Sequence, residues 1–198
     1  MSLRHSYTLI APIYDVIVSR ASASARRASL AALPVEGGQR VLLSGVGTGL
    51  DLPFLPVCHS YVALDLTKSM LERALPRKGA LDISWMQGDS QILPFSDAVF
   101  DHVVLHLILA VVPDAACALQ ESARVVKPGG SLYILDKFLR RGQRAPLRRL
   151  LNPLARRIAT RTDVVFEDIF VRVPGLTIVS DESAAFGGWF RRLKLVRA

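Results

Sequence analysis

Three glycines at every second position, Gly45, Gly47 and Gly49, close the apolar run Val41-Leu42-Leu43. Glycines spaced this way let a backbone turn tightly and pass close to a ligand. Twenty residues after Gly45 stands Asp65, at the end of a second apolar run, Tyr61-Val62-Ala63-Leu64. A carboxylate at the carboxyl end of such a strand accepts hydrogen bonds from both hydroxyls of a ribose. Further on, Gly88-Asp89-Ser90 sets another acid beside small residues. Asp89 could take the exocyclic amine of adenine while the neighbouring amides face the ring nitrogens. Taken together, these residues predict a grip on a nucleoside.

The elements that must position them follow from periodicity. Residues 15–33 are predicted to be a helix with small and aliphatic positions on one side and Arg20, Arg26 and Arg27 on another; Pro34 and Gly37-Gly38 end it. The first strand leads into the glycine turn, and a short helix broken around Pro53 and Pro56 is expected next. The second strand ends at Asp65, and Thr67 is the expected N-cap of a helix over 68–75. Strands are expected at 81–86, 100–105 and 131–135, with a helix over 114–126 between the last two. Strands alternating with helices predict a parallel sheet with right-handed crossovers. The last third predicts a basic helical segment, a short helix over 165–171 and two strand-like runs, 176–180 and 189–196, able to pair as an antiparallel hairpin at the sheet edge.

Composition narrows the class. Half of the 198 residues are apolar and 21% are charged, which excludes a disordered chain. The longest apolar run, Val103 to Val112, is interrupted by His106 and is too short to span a bilayer, and no secretion signal is legible. Cys58 and Cys117 stand alone, as expected in the reducing cytoplasm. His102 and His106 share a strand face without a third ligand, so no metal site is expected. The formal charge of +8 is uneven: Lys137 to Arg161 holds nine basic residues and no acid. Such a segment attracts polyanions, either nucleic acid or an anionic membrane. No aromatics are interleaved with its arginines, which argues against base stacking and makes a nucleic acid the less expected partner.

The glycine spacing is GxGxG; Leu50 stands where the dinucleotide fingerprint has its third glycine. A helix N-terminus there would serve a pyrophosphate, whereas an adenosine carrying a sulfonium amino acid has no phosphate to place. Val41 to Gly49 resembles the first motif of the class I methyltransferases, which use S-adenosylmethionine. Gly88 to Asp101 and Glu121 to Gly130 are similar to the ubiquinone and menaquinone biosynthesis branch of that family. Tyr7 to Asp15 resembles the YxxxAxxYD opening of soluble bacterial phosphatidylethanolamine N-methyltransferases, and Asn152 to Arg157 and Phe186 to Phe190 are similar to the same group.

The resemblance implies a single doubly wound, Rossmann-like α/β domain over 1–198: seven strands, mostly parallel with the last antiparallel, and helices on both faces. Residues 1–34 would supply lid helices and 137–172 the basic segment. It implies S-adenosylmethionine held by Gly45, Val46, Gly47, Gly49, Asp65, Leu66, Gly88, Asp89 and Ser90, with Tyr14, Tyr7 and His106 at the acceptor side. The implied acceptor is a phospholipid headgroup amine at an anionic membrane surface, on the cytoplasmic side. A quinone precursor or another small hydrophobic molecule is the alternative; a weakly active nucleic-acid binder is the third reading. One departure stands out: the family usually has an acid at the position of Leu43, where it fixes the cofactor's amino group.

Overall fold

A computed structural model of the protein describes residues 22–142, 163–185 and 189–198. Tyr7, Tyr14 and most of the basic segment lie outside the described residues. Seven strands form one sheet: β1 (Arg40–Ser44), β2 (Ser60–Asp65), β3 (Asp82–Gln87), β4 (Phe100–His106), β5 (Val126–Asp136), β6 (Leu176–Ala185) and β7 (Phe190–Arg197). Their order is β3-β2-β1-β4-β5-β7-β6. Pairs from β3 through β5 are parallel, and β7 runs antiparallel to both β5 and β6, as the sequence predicts for the last strand.

The period-2 alternation of a strand divides the core into two layers. Leu42, Val62, Leu64, Val103, Leu105, Leu132 and Ile134 face α3 (Ala115–Val125) and α4 (Phe166–Phe170). Val41, Leu43, Tyr61, Ala63, Val104 and Tyr133 face α1, helical over 22–30, and α2 (Lys68–Ala74). Burial on both faces is why the central strands read as nearly continuous apolar runs. The strand order reverses between β1 and β4, which opens a crevice at their carboxyl ends, the place where open α/β sheets bind ligands.

Four expectations are corrected. The helix after the glycine turn is a single 3-10 turn, Leu52–Phe54, because Leu55 is extended ahead of Pro56 (ψ 139°) and a residue before proline leaves the helical region. Thr67 occupies the N-cap position of α2 without capping it; its hydroxyl turns back to donate to Asp65 Oδ1 at 3.3 Å. β5 begins at Val126 and runs through Pro128-Gly129-Gly130, with its register against β4 shifted there. Gly130 permits this passage, since a Cβ on it would stand 2.5 Å from the Asp101 carbonyl oxygen. Finally, Arg26, expected on the side away from the small and aliphatic positions, is buried.

Candidate active site

The glycine turn leaves β1 with Gly45, Gly47 and Gly49 all at positive φ (77°, 56° and 79°). Only glycine adopts that conformation without strain. The Gly45 and Val46 amides both donate to the Leu64 carbonyl at 2.9 Å, and the Gly47 amide donates to Asp65 Oδ2 at 2.8 Å. A Cβ on Gly45 would strike Ile108 at 2.7 Å, and one on Gly49 would lie 2.9 Å from Ala74, whereas Gly47 faces open space. The first and last glycines thus allow close packing, and the middle one leaves room above the turn.

Asp65 ends β2 at the same edge. Its Oδ1 accepts from the Thr67 amide at 3.0 Å, while burial pushes its carboxyl up against the pull of those backbone donors. The Thr67 amide and hydroxyl share Oδ1, and Oδ2, which accepts from the Gly47 amide, keeps a lone pair for further acceptance. The Gly88 amide donates to the Asp65 carbonyl at 2.9 Å, and Ser44 Oγ donates to Ser90 Oγ at 2.9 Å. The segments carrying the glycines, Asp65 and Asp89 are therefore hydrogen-bonded into one edge.

Asp89 closes its own turn, with Oδ1 accepting from the Gln91 amide at 2.8 Å. Gln91 Oε1 in turn accepts from the Asp114 amide, and the Asp114 side chain caps α3 through Ala116 and Cys117. Below this turn, Glu121 accepts from the Leu93 amide, and Arg124 donates to Glu121, Asp97 and the carbonyls of Phe95 and Leu93. The Arg124 hydrogen bonds hold the Glu121 carboxyl below its ordinary value. The 88–95 and 121–130 stretches thus form one unit, in which α3 steadies the Asp89 turn. Leu66, partly exposed after Asp65, has its carbonyl tied to Gln87 Nε2.

His106 ends β4 beside the glycine turn, buried, with both ring nitrogens engaged: Nδ1 lies 2.8 Å from Asp51 Oδ1 and Nε2 2.9 Å from Ser29 Oγ. Those contacts leave its ring no free nitrogen for an acceptor in this arrangement. Leu107 follows in the left-handed region at φ 58°, a strained backbone at the end of a site strand. Arg26 Nη1 donates to the same Asp51 oxygen at 2.8 Å, and Nε donates to Ser22. Burial alone would raise the Asp51 carboxyl, but the charges of His106 and Arg26 and their hydrogen bonds hold it well below the usual range. Sequence reasoning missed Asp51, Arg26 and Ser29; the one signal was an acid two residues after the last glycine of the turn. His102 sits lower on β4, its Nδ1 accepting weakly from the Ser131 amide, and no cluster of metal-binding side chains occurs among the described residues.

Open space over Gly47, a strand-end carboxylate bonded to that glycine, and a second acid on the adjoining turn fit an adenosyl group. The fit lacks one part: Leu43 is buried in hydrocarbon with Val46 and Leu52 and supplies no acid.

Comparison with known proteins agrees with this geometry. Residues 42–134 match the family described as Methyltransferase domain. The chain is 32% identical over 190 residues to a phosphatidylethanolamine N-methyltransferase of Cereibacter sphaeroides, covering 93% of each. It is 36% identical over 132 residues to a demethylmenaquinone methyltransferase of Renibacterium salmoninarum, covering 64% of this chain and 55% of that one. The fold superposes with a TM-score of 0.74 on an S-adenosylmethionine-dependent methyltransferase from Thermotoga maritima, 18% identical, over the full length of both. S-adenosylmethionine is accordingly the methyl donor. The chain belongs to the class I S-adenosylmethionine-dependent methyltransferases.

Proposed function

We propose that the protein methylates the headgroup amine of phosphatidylethanolamine at an anionic membrane surface. The observation that carries this reading is the likeness to a phosphatidylethanolamine N-methyltransferase over 93% of both chains. The demethylmenaquinone methyltransferase match stops at about half of that relative's length, so it covers shared cofactor machinery better than acceptor recognition. Its 36% identity within that part keeps a quinone precursor as the second reading.

Bound in the crevice, S-adenosylmethionine supplies a methyl group already activated by its sulfonium. The residues of the chain then serve to position: they hold the acceptor nitrogen in line and exclude water. Positioning of this kind supplies ~7–11 kcal/mol of barrier lowering without a strong catalytic base. An ammonium has no lone pair, so the site must admit the neutral amine or take its proton. Tyr7 and Tyr14, from the segment the resemblance makes a lid, are the proposed groups facing that amine.

Membrane retention is assigned to the basic segment. Arg140 and Arg141 form exposed pairs with Asp181 and Asp168, so the surface contact is assigned to the arginines from Arg144 to Arg161. Each contributes ~1 kcal/mol near an anionic surface. No helix among the described residues is long and apolar enough to cross a membrane. Radiolabelled methyl incorporation into phosphatidylethanolamine vesicles, set against a demethylated quinone precursor, tests the acceptor. Label in the quinone alone overturns the phospholipid reading. Flotation with anionic vesicles at low salt tests the surface, and the association should vanish at high ionic strength.

A further inference from the structure

Leu43 leaves the donor's amino group without the acid that the family supplies, yet a buried ionised acid stands close by. Asp51 lies two residues after Gly49, the last glycine of the turn, with a side chain only 9% exposed. Its Oδ1 is shared by Arg26 Nη1 and His106 Nδ1, each at 2.8 Å, and its Oδ2 has no partner among the described residues. A carboxylate offers about four acceptor positions, so two donors on one oxygen leave the other available. We propose that Asp51 replaces the missing acid at position 43 and receives the ammonium of the methyl donor's amino-acid end, with Arg26 as its balancing cation.

The sheet itself sets the direction. Asp89 follows β3 and Asp65 ends β2, while the glycine turn caps β1 and His106 ends β4; these strands are neighbours in that order. Neighbouring strands lie ~4.8 Å apart. A nucleoside whose base meets Asp89 and whose ribose meets Asp65 covers β3 and β2. Its amino-acid arm therefore runs over the glycine turn and ends above β1 and β4, where Asp51, Arg26 and His106 converge.

Position 43 and Asp51 belong to the same side of the sheet. Leu43 pairs with Val104, and His106, two residues further, projects from the same face as Val104. Hydrocarbon from Leu43, Val46 and Leu52 fills the place where a strand acid would stand. The acid has moved from the strand to the loop above it, and it needs a buried cation to remain charged there. An amino-acid end is a zwitterion, and a buried Arg–Asp pair offers it both signs of charge. Such a pair is strongly destabilised when one member is lost, which is a reason to retain both.

This inference rests on the methyl-donor reading of the glycine turn, and calorimetry with two nucleosides separates the two. S-adenosylhomocysteine carries the amino-acid end; methylthioadenosine lacks it and keeps base, ribose and sulfur. Asp51→Asn should weaken S-adenosylhomocysteine at least tenfold and leave methylthioadenosine within twofold. The double variant Arg26→Gln, Asp51→Asn keeps the cluster neutral and should show the same selective loss, covering the case in which the single variant does not fold. Equal losses for both ligands mean a merely structural pair and overturn the proposal, as does an unchanged affinity for S-adenosylhomocysteine. If the wild-type protein binds neither nucleoside, the donor reading itself fails and this inference falls with it.

Discussion

Replacing Gly47 by alanine separates binding from folding. Gly47 lies at φ 56° with nothing within 4 Å of where a Cβ would stand. The substitution therefore meets no protein atom, and its effect on folding is backbone strain alone. A non-glycine residue in the left-handed region costs ~1–2 kcal/mol. In a domain of this size each kcal/mol is worth ~2–4 °C, so Tm should fall by roughly 2–8 °C. The new methyl projects into the open space above the turn, which the cofactor-cradle reading gives to the adenosyl group, while the hydrogen bond from the residue 47 amide to Asp65 Oδ2 at 2.8 Å is kept. Affinity for S-adenosylhomocysteine should drop at least tenfold, equivalent to ~1.4 kcal/mol. Gly49→Ala is the control: it adds contacts of 2.9 Å with the Ala74 Cβ and Leu52 Cδ1 and 3.1 Å with the Ala74 Cα. Overpacking of that kind costs a further ~1–3 kcal/mol, so Gly49→Ala should lose stability more than Gly47→Ala does. Thermal melts and calorimetry read both quantities. A folded Gly47→Ala protein that binds as tightly as wild type refutes the turn as the cofactor cradle.

Asp65→Asn removes the charge and one of two acceptors now used by Gly47 and Thr67, and should weaken S-adenosylhomocysteine by about tenfold or more, measured by calorimetry. Because burial raises the Asp65 carboxyl, wild-type affinity should begin to fall on acidification at a higher pH than an ordinary aspartate allows. Arg191, 2% exposed, donates to Asp181, Glu167 and the Leu139 carbonyl; Arg191→Leu leaves Glu167 without this partner and Asp181 with Arg140, and should cost ~1–3 kcal/mol in urea unfolding. Asp51 titrates in the opposite sense to Asp65. Its folded value lies below the unfolded ~3.9, so its stabilisation is present above about pH 4 and is lost as pH falls through the folded value. Glu121, Glu167 and Asp181 are lowered too and add to the same acid loss. Urea midpoints should fall steeply below pH 4, and Asp51→Asn should flatten that slope.

Much of the architecture was legible because of where burial falls. β1, β2 and β4 are covered on both faces, so their runs of Val, Leu, Ala and Tyr stand out against the turns. β6 was half hidden: only Leu176 is buried among its first four residues, and Ser180-Asp181-Glu182-Ser183 reads as a loop. What makes it a strand is pairing across the hairpin with β7, where Arg191 and Arg192 meet those acids; that pairing leaves no apolar alternation in β6 itself. β5 hid its first five residues behind Pro128-Gly129-Gly130, a sequence that ordinarily marks a turn.

The site divides along the same line. Gly45 to Gly49, Asp65 and Asp89 announce themselves because their roles depend on local geometry: positive φ, a strand end, a self-closing turn. Asp51 does not, because everything that distinguishes it is remote. Its cation is 25 residues earlier and its histidine 55 residues later. By itself an aspartate after a glycine turn and before a proline is a solvated turn residue. Arg26 shows the same failure from the other side, since an arginine two positions from Ser24 and next to Arg27 reads as part of a charged outer face, yet it is 6% exposed. Buried charge is costly unless paired, so local rules are broken there only where something compensates. In this chain the compensation and the missing acid at Leu43 meet at one strand end.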